Sequence, residues 1–169
     1  MRLVRSQLPT LSRQIVRTLV DGGDIEVASQ REVERDIESV LGNYVSQSEQ
    51  VVSRARDLVQ QRGLPQGEFG RIKRLAAEQA GIKIGEDALD YVLAQVLEML
   101  MHSSNVEEVY SEDHVLKRKI RQFLRGGEDA DASLEAEVRS KLKHVKEGSR
   151  MWEIEYARMK EEIKRRRGM

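Results

Sequence analysis

The stretch Glu86–Met101, EDALDYVLAQVLEMLM, decides how the rest of the chain is read. Leu89, Val92, Leu93, Val96, Leu97, Leu100 and Met101 recur at spacings of three and four, which draws an apolar stripe wide enough to bury along its whole length. Gly85 before it and Ser103-Ser104-Asn105 behind it mark its ends, and Glu86 and Asp87 sit where the positive end of the helix dipole favours acids. The spacing predicts a four-turn core helix, which the other elements cover.

Compared with itself, the chain offers a second copy of this helix. At an offset of 81 residues Leu8, Leu11, Ile15, Val16, Leu19 and Val20 fall on Leu89, Val92, Val96, Leu97, Leu100 and Met101. Leu3 falls on Ile84 and Ile25 on Val106. After a two-residue insertion Val33, Ile37, Val40 and Leu41 fall on Leu116, Ile120, Phe123 and Leu124. The agreement crosses a helix, a turn, a short extended piece and a second helix in one order. The expectation is an all-α fold of about seven helices in two pseudo-repeated lobes. At most a minimal ribbon is expected, with Ile25–Val27 paired to Val106–Val109, because so short a pair is marginal alone.

The other elements follow from local signals. Pro9-Thr10 opens the first helix and Asp21-Gly-Gly-Asp24 ends it. Ser29 with Glu32, and Ser46 with Glu49, have the spacing of a capping box, so two helices are expected between them and Gly63. Gly63-Leu-Pro-Gln-Gly67 is the best boundary, followed by a helix over Glu68 to Ala80 stopped by Gly81. A further helix over Glu112 to Leu124 is expected to end at Arg125-Gly-Gly-Glu-Asp-Ala-Asp131. Another carries Leu134, Val138 and Leu142, and Ser149 caps the last. The expected organisation is residues 1–63 as first repeat, 64–81 as connecting helix, 82–146 as second repeat and 147–169 as a basic-ended helix.

Composition narrows the function classes. At 169 residues the chain can bury roughly 70% of its unfolded surface. Charged residues make up 34% and aromatics 4%, which suits narrow-striped helices with long solvated faces. There is no cysteine, hence no disulfide, thiolate metal site or cysteine nucleophile. No apolar run is long enough to span a membrane, and MRLVRSQLPTL lacks the apolar centre of a secretory signal. A cytoplasmic location is expected.

Site chemistry is scarce. His102, His114 and His144 share no period that would put two on one face as metal ligands. Asp129 and Asp131 have the spacing of the first two calcium-loop ligands, but the sixth and twelfth positions are Leu134 and Ser140 where that loop needs Gly and Glu. The acid pairs Glu107-Glu108 and Glu112-Asp113 read as helix starts and solvated turns. No phosphate loop, dinucleotide glycine pattern or nucleophile elbow occurs. No enzyme activity and no cofactor are expected.

The C-terminal stretch is the most distinctive. A helix after Ser149 carries Trp152, Tyr156, Met159 and Ile163 inward, and its last turn, Lys164, Arg165, Arg166 and Arg167, complements the helix dipole. The patterns EGSRMWEIEYARMKEEIKRRRG and LSRQIVRTLVDGGDIEV together resemble the bacterial family catalogued as domain of unknown function 507, over Met1 to Gly168. The resemblance implies a small, bacterial, cytoplasmic helical protein and carries over no activity. Two functions are expected in order. One is a helical interaction scaffold that docks a protein partner or a second copy of itself through a groove between its repeats or through Trp152 and Tyr156. The alternative is an RNA- or DNA-associated factor using Arg139, Lys141, Lys143, Lys146 and Lys164 to Arg167.

Overall fold

The computed structural model describes residues 1–145 and 149–167, and the side chains among them except those of 126–133 and 167. Its elements run α1 (Leu8–Asp21), β1 (Ile25–Val27), α2 (Gln30–Gln61), α3 (Phe69–Ala80), α4 (Ala88–His102), β2 (Val106–Val109), α5 (Asp113–Lys141) and α6 (Arg150–Arg167). A single 3-10 turn leads into each of α1, α3 and α4. The fold is all-α with one two-stranded antiparallel ribbon, in which Ile25 faces Val109 and Glu26 faces Glu108. The chain divides into two compact units, Met1–Leu124 and Arg125–Met169. This division falls at none of the boundaries expected at 63, 81 and 146, because the residues of 1–63 and 82–124 share one core.

That core is made by the stripes of α1, α4 and the first halves of α2 and α5. Ile15, Leu19, Ile37, Leu93, Leu100 and Ile120 are all essentially inaccessible, and each such side chain contributes roughly 1.5–3 kcal/mol by leaving water. Positions that align at the 81-residue offset are buried together: Ile15 with Val96, Val16 with Leu97 and Leu19 with Leu100 lie in the same cluster. So are Val33 with Leu116, Ile37 with Ile120 and Leu41 with Leu124. Ser12, aligned with Leu93, is fully buried, and its hydroxyl finds no hydrogen-bond partner.

Two polar contacts fasten the helices to the ribbon ends. Asp24, 3% exposed, accepts hydrogen bonds at Oδ2 from Lys119 Nζ and at Oδ1 from Ser111 Oγ, both at 2.6 Å. Burial pushes its carboxyl up, but those two bonds and the charges of Lys119 and Arg118 outweigh burial and leave it below the usual aspartate value. The aligned positions hold the other contact: Asn105, aligned with Asp24, donates from Nδ2 to Asp36 Oδ2 at 3.2 Å, and Asp36 is the position aligned with Lys119. Ser103 Oγ donates to the same Asp36 oxygen at 2.8 Å.

Two expected helix breaks do not occur. Ser29 Oγ accepts from Glu32 N and starts α2 as expected, although the Glu32 carboxylate pairs with Arg35 instead of returning to Ser29. Ser46 and Glu49, however, lie inside the 32-residue α2 and both receive the Arg5 guanidinium, at 2.9 and 3.0 Å. A spacing of three serves a cap, but it also places two side chains on one helix face. The polar stretch Arg125 to Asp131 likewise lies inside α5. Glycine and aspartate cost a helix roughly 1 kcal/mol or less per residue without forbidding it, and apolar anchors stand on both sides, Leu124 before and Leu134 after.

The second unit is a small hairpin of the end of α5 with α6. Leu134, Val138, Leu142 and Ile163 form its core, and Trp152, Tyr156 and Met159 pack against it. Ser149 Oγ accepts from Trp152 N at 3.1 Å, the cap expected for α6.

Candidate docking surface

The 32 residues of α2 make it about 48 Å long at 1.5 Å per residue. Val33 to Val45 bury in the main core, and the remainder pairs with α3 as a helical hairpin. Val51 meets Ala76 and Ala77, and further out Ala55 and Val59 meet Ile72. Alanines at the contact let the two helix backbones approach closely. The turn between them uses Gly63 at φ +60°, and α3 stops on Gly81 at φ +73°, both in the left-handed region that glycine adopts without a Cβ clash.

Beside this contact runs a groove of about 370 Å³ between Gln47, Gln50, Val51 and Arg54 on α2 and Ala76, Gln79 and Ala80 on α3. A second hollow of about 260 Å³ along α2 shares Gln50 and Arg54 with it and adds Ser53, Asp57, Leu58 and Gln61. The floor is apolar, and the rim is amide and guanidinium, with the Asp57 carboxylate added at the second hollow.

The hairpin carries a small excess of cations in a neutral chain. From Ser46 to Ala80 there are six cations, Arg54, Arg56, Arg62, Arg71, Lys73 and Arg74, against four acids, Glu49, Asp57, Glu68 and Glu78, while the whole chain balances 29 with 29. The five arginines are exposed. Only Arg71 has an acidic partner, Glu68 Oε2 at 2.6 Å, and Arg74 Nε reaches only the carbonyl of Gly70. Arg54, Arg56, Arg62 and Lys73 have none among the described residues.

The tail cations are placed differently. Arg139 pairs with Glu135 at 3.7 Å and Lys141 with Glu137 at 3.8 Å. Arg166 bonds Glu137, and Lys160 approaches Glu135 at 3.8 Å. Lys143 and Arg165 are exposed and Lys164 is half-buried. Lys146 and the side chain of Arg167 lie outside the described residues, as do those of Asp129 and Asp131, the candidate calcium ligands. Trp152 and Tyr156 stack on each other with ring centroids 4.9 Å apart, and they close the core of their own unit. The Tyr156 hydroxyl donates to Glu135. That bond holds the Tyr156 phenol above its usual range and the Glu135 carboxyl below its own. The exposed apolar groups of α6 are Met151 and Ile154, at 68% and 60%.

The three histidines are exposed and are not brought together. His102 Nδ1 contacts the Glu98 carbonyl at 2.8 Å, and His114 Nδ1 lies 3.2 Å from Glu112 Oε2. Among the described residues no group of three His, Asp or Glu side chains is placed to hold a metal.

Fold and surface define a helical, ribbon-pinned protein whose α2–α3 hairpin carries exposed arginines. The chain belongs to a family described as a protein of unknown function, DUF507, whose model matches residues 1–169. No curated protein matches the sequence.

Proposed function

We propose that the protein is a non-enzymatic docking protein that presents the α2–α3 hairpin to a macromolecular partner. The observation that carries this reading is the set of exposed hairpin arginines, of which Arg54, Arg56 and Arg62 have no acidic partner among the described residues, with Arg54 lining an amide-rimmed groove. Exposed charge left uncompensated raises the local potential and steers a partner of opposite sign. In the second unit, Glu135 and Glu137 already answer Arg139, Lys141 and Arg166. No helix among the described residues is long and apolar enough to cross a membrane, and the reading includes a bacterial, cytoplasmic setting, to which the absence of cysteine is suited.

Capture from native lysate tests the proposal, using the full chain and the Arg54→Glu/Arg62→Glu variant, each with and without nuclease. The expected result is that material retained by the wild type is lost from the variant. Equal retention by both would refute the hairpin as the docking surface. A second reading, self-association, is favoured by Met151 and Ile154, which lie exposed one turn apart on α6. It predicts a dimeric mass by light scattering that Ile154→Arg returns to monomer.

A further inference from the structure

We infer that the partner of the α2–α3 hairpin is the sugar–phosphate backbone of an RNA duplex, an assignment that rests on the docking reading above. Five of the hairpin's six cations are arginine, and the planar guanidinium fork matches phosphate oxygens two at a time, whereas an ammonium acts as a point charge. A protein partner needs pockets for aromatic or large apolar anchors, because a few such residues carry most protein–protein affinity. The groove here is lined by Val51, Ala76 and Ala80 with three glutamines and Arg54, so no large apolar side chain is there to grip such an anchor. Single strands are gripped by stacking bases on aromatic rings, and no aromatic lines either hollow.

A duplex presents phosphates along its grooves, and what lies between them selects the polymer. Gln47, Gln50, Gln79 and Gln61 each offer an amide that both donates and accepts. The wide, shallow minor groove of A-form RNA displays 2′-hydroxyls that also donate and accept, and B-form DNA has none. Exposed arginines for phosphate, with Arg54 beside the glutamines for hydroxyl, therefore fit RNA better than DNA or an acidic peptide.

The test is fluorescence anisotropy on the full chain. The ligands are a labelled 20-base-pair RNA duplex, the DNA duplex of the same sequence, one RNA strand alone and a poly-glutamate peptide, from 50 to 200 mM salt. If four or five phosphates are engaged, the dissociation constant for duplex RNA rises roughly 150- to 500-fold across that range through counterion release. Arg54→Glu/Arg62→Glu weakens binding at least about tenfold at 100 mM salt and flattens the logarithmic salt slope by about two. Gln50→Ala/Gln79→Ala narrows the gap between RNA and DNA. Lys143→Glu/Arg165→Glu, in the other unit, changes binding less than about twofold, and circular dichroism verifies that each variant is folded.

The assignment is overturned if duplex RNA does not bind at 50 mM salt, or binds without salt dependence. It is equally overturned if DNA, the single strand or the peptide binds as tightly, or if only the second-unit variant loses binding. Should RNA fail while Arg54→Glu/Arg62→Glu still strips a nuclease-resistant partner in the lysate capture, the docking reading stands and the RNA assignment alone falls. Should both fail, both fall.

Discussion

Replacing Lys119 with methionine isolates the buried contact that holds α5 to the first strand. Methionine keeps most of the apolar stem and removes the ammonium, leaving the Asp24 carboxylate with one side-chain donor, Ser111 Oγ. Removing one member of a fully buried pair costs about 3–5 kcal/mol. Asp24 is 4% exposed at its side chain but Lys119 is 29% exposed, so Lys119 was never fully desolvated. With the surviving serine bond, the expected loss is about 2–3 kcal/mol. That corresponds to roughly 5–10 °C in melting temperature for a chain of this size. Urea denaturation followed by amide exchange at Ile25 and Val109 reads the loss where it occurs. The pH dependence has a definite sign. Because the folded Asp24 carboxyl is depressed, the stability it contributes is complete above the ordinary aspartate value of about 3.9 and lost as pH falls through the folded value. Wild type and Lys119→Met should therefore differ fully at pH 7 and converge in acid, once Asp24 is protonated in both. A difference below about 0.5 kcal/mol at pH 7, within the range of ordinary surface substitutions, would refute the reasoning. So would a difference that persists undiminished in acid.

Three further outcomes are expected. Ser12→Ala removes a buried hydroxyl that has no partner and should raise stability by about 1 kcal/mol, seen as a higher urea midpoint with an unchanged slope. Gly22→Ala should destabilise by about 1–3 kcal/mol, because a Cβ there would stand 2.8 Å from Asp24 Oδ2 and 3.0 Å from both Lys119 Nζ and the Thr18 carbonyl; double-mutant analysis should show it non-additive with Lys119→Met. Val138→Asp puts a charge into the four-residue buried core of the second unit and should abolish exchange protection between Leu134 and Ile163 while amides of Ile15 and Leu93 stay protected.

The apolar stripes of α1 and α4, the stop at Gly81, the caps at Ser29 and Ser149 and the pairing of β1 with β2 were legible because each depends on local spacing or on one dominant chemical preference. Continuity of α2 through Ser46 was not, since the reason those side chains point outward is Arg5, more than forty residues away. The helical run through Gly126 and Gly127 was hidden similarly: local propensity opposes it, and anchors in two different cores override it. The hairpin cations went unmarked for a related reason. A run such as Lys164 to Arg167 announces itself in sequence, but its neighbours' charges are partly answered by Glu135 and Glu137 on another helix. The hairpin cations are scattered over some twenty residues, and only tertiary structure shows that among the described residues just Arg71 meets an acid. A count of cations against acids within the helix pair would have found them.

The ribbon joins Ile25 to Val109, so a three-residue strand is held to a partner some 84 positions along the chain. Closing a loop of that length costs about 4 kcal/mol of chain entropy, beyond a constant term, and few local hydrogen bonds repay it. The helical hairpin of α2 and α3 lies wholly within that loop and depends on near neighbours, so it is suited to form early, with strand pairing as the slow, late step that locks the core. Severing the backbone between Leu64 and Gly67 would turn that closure into a meeting of two molecules, and recovery of the fold would then depend on protein concentration.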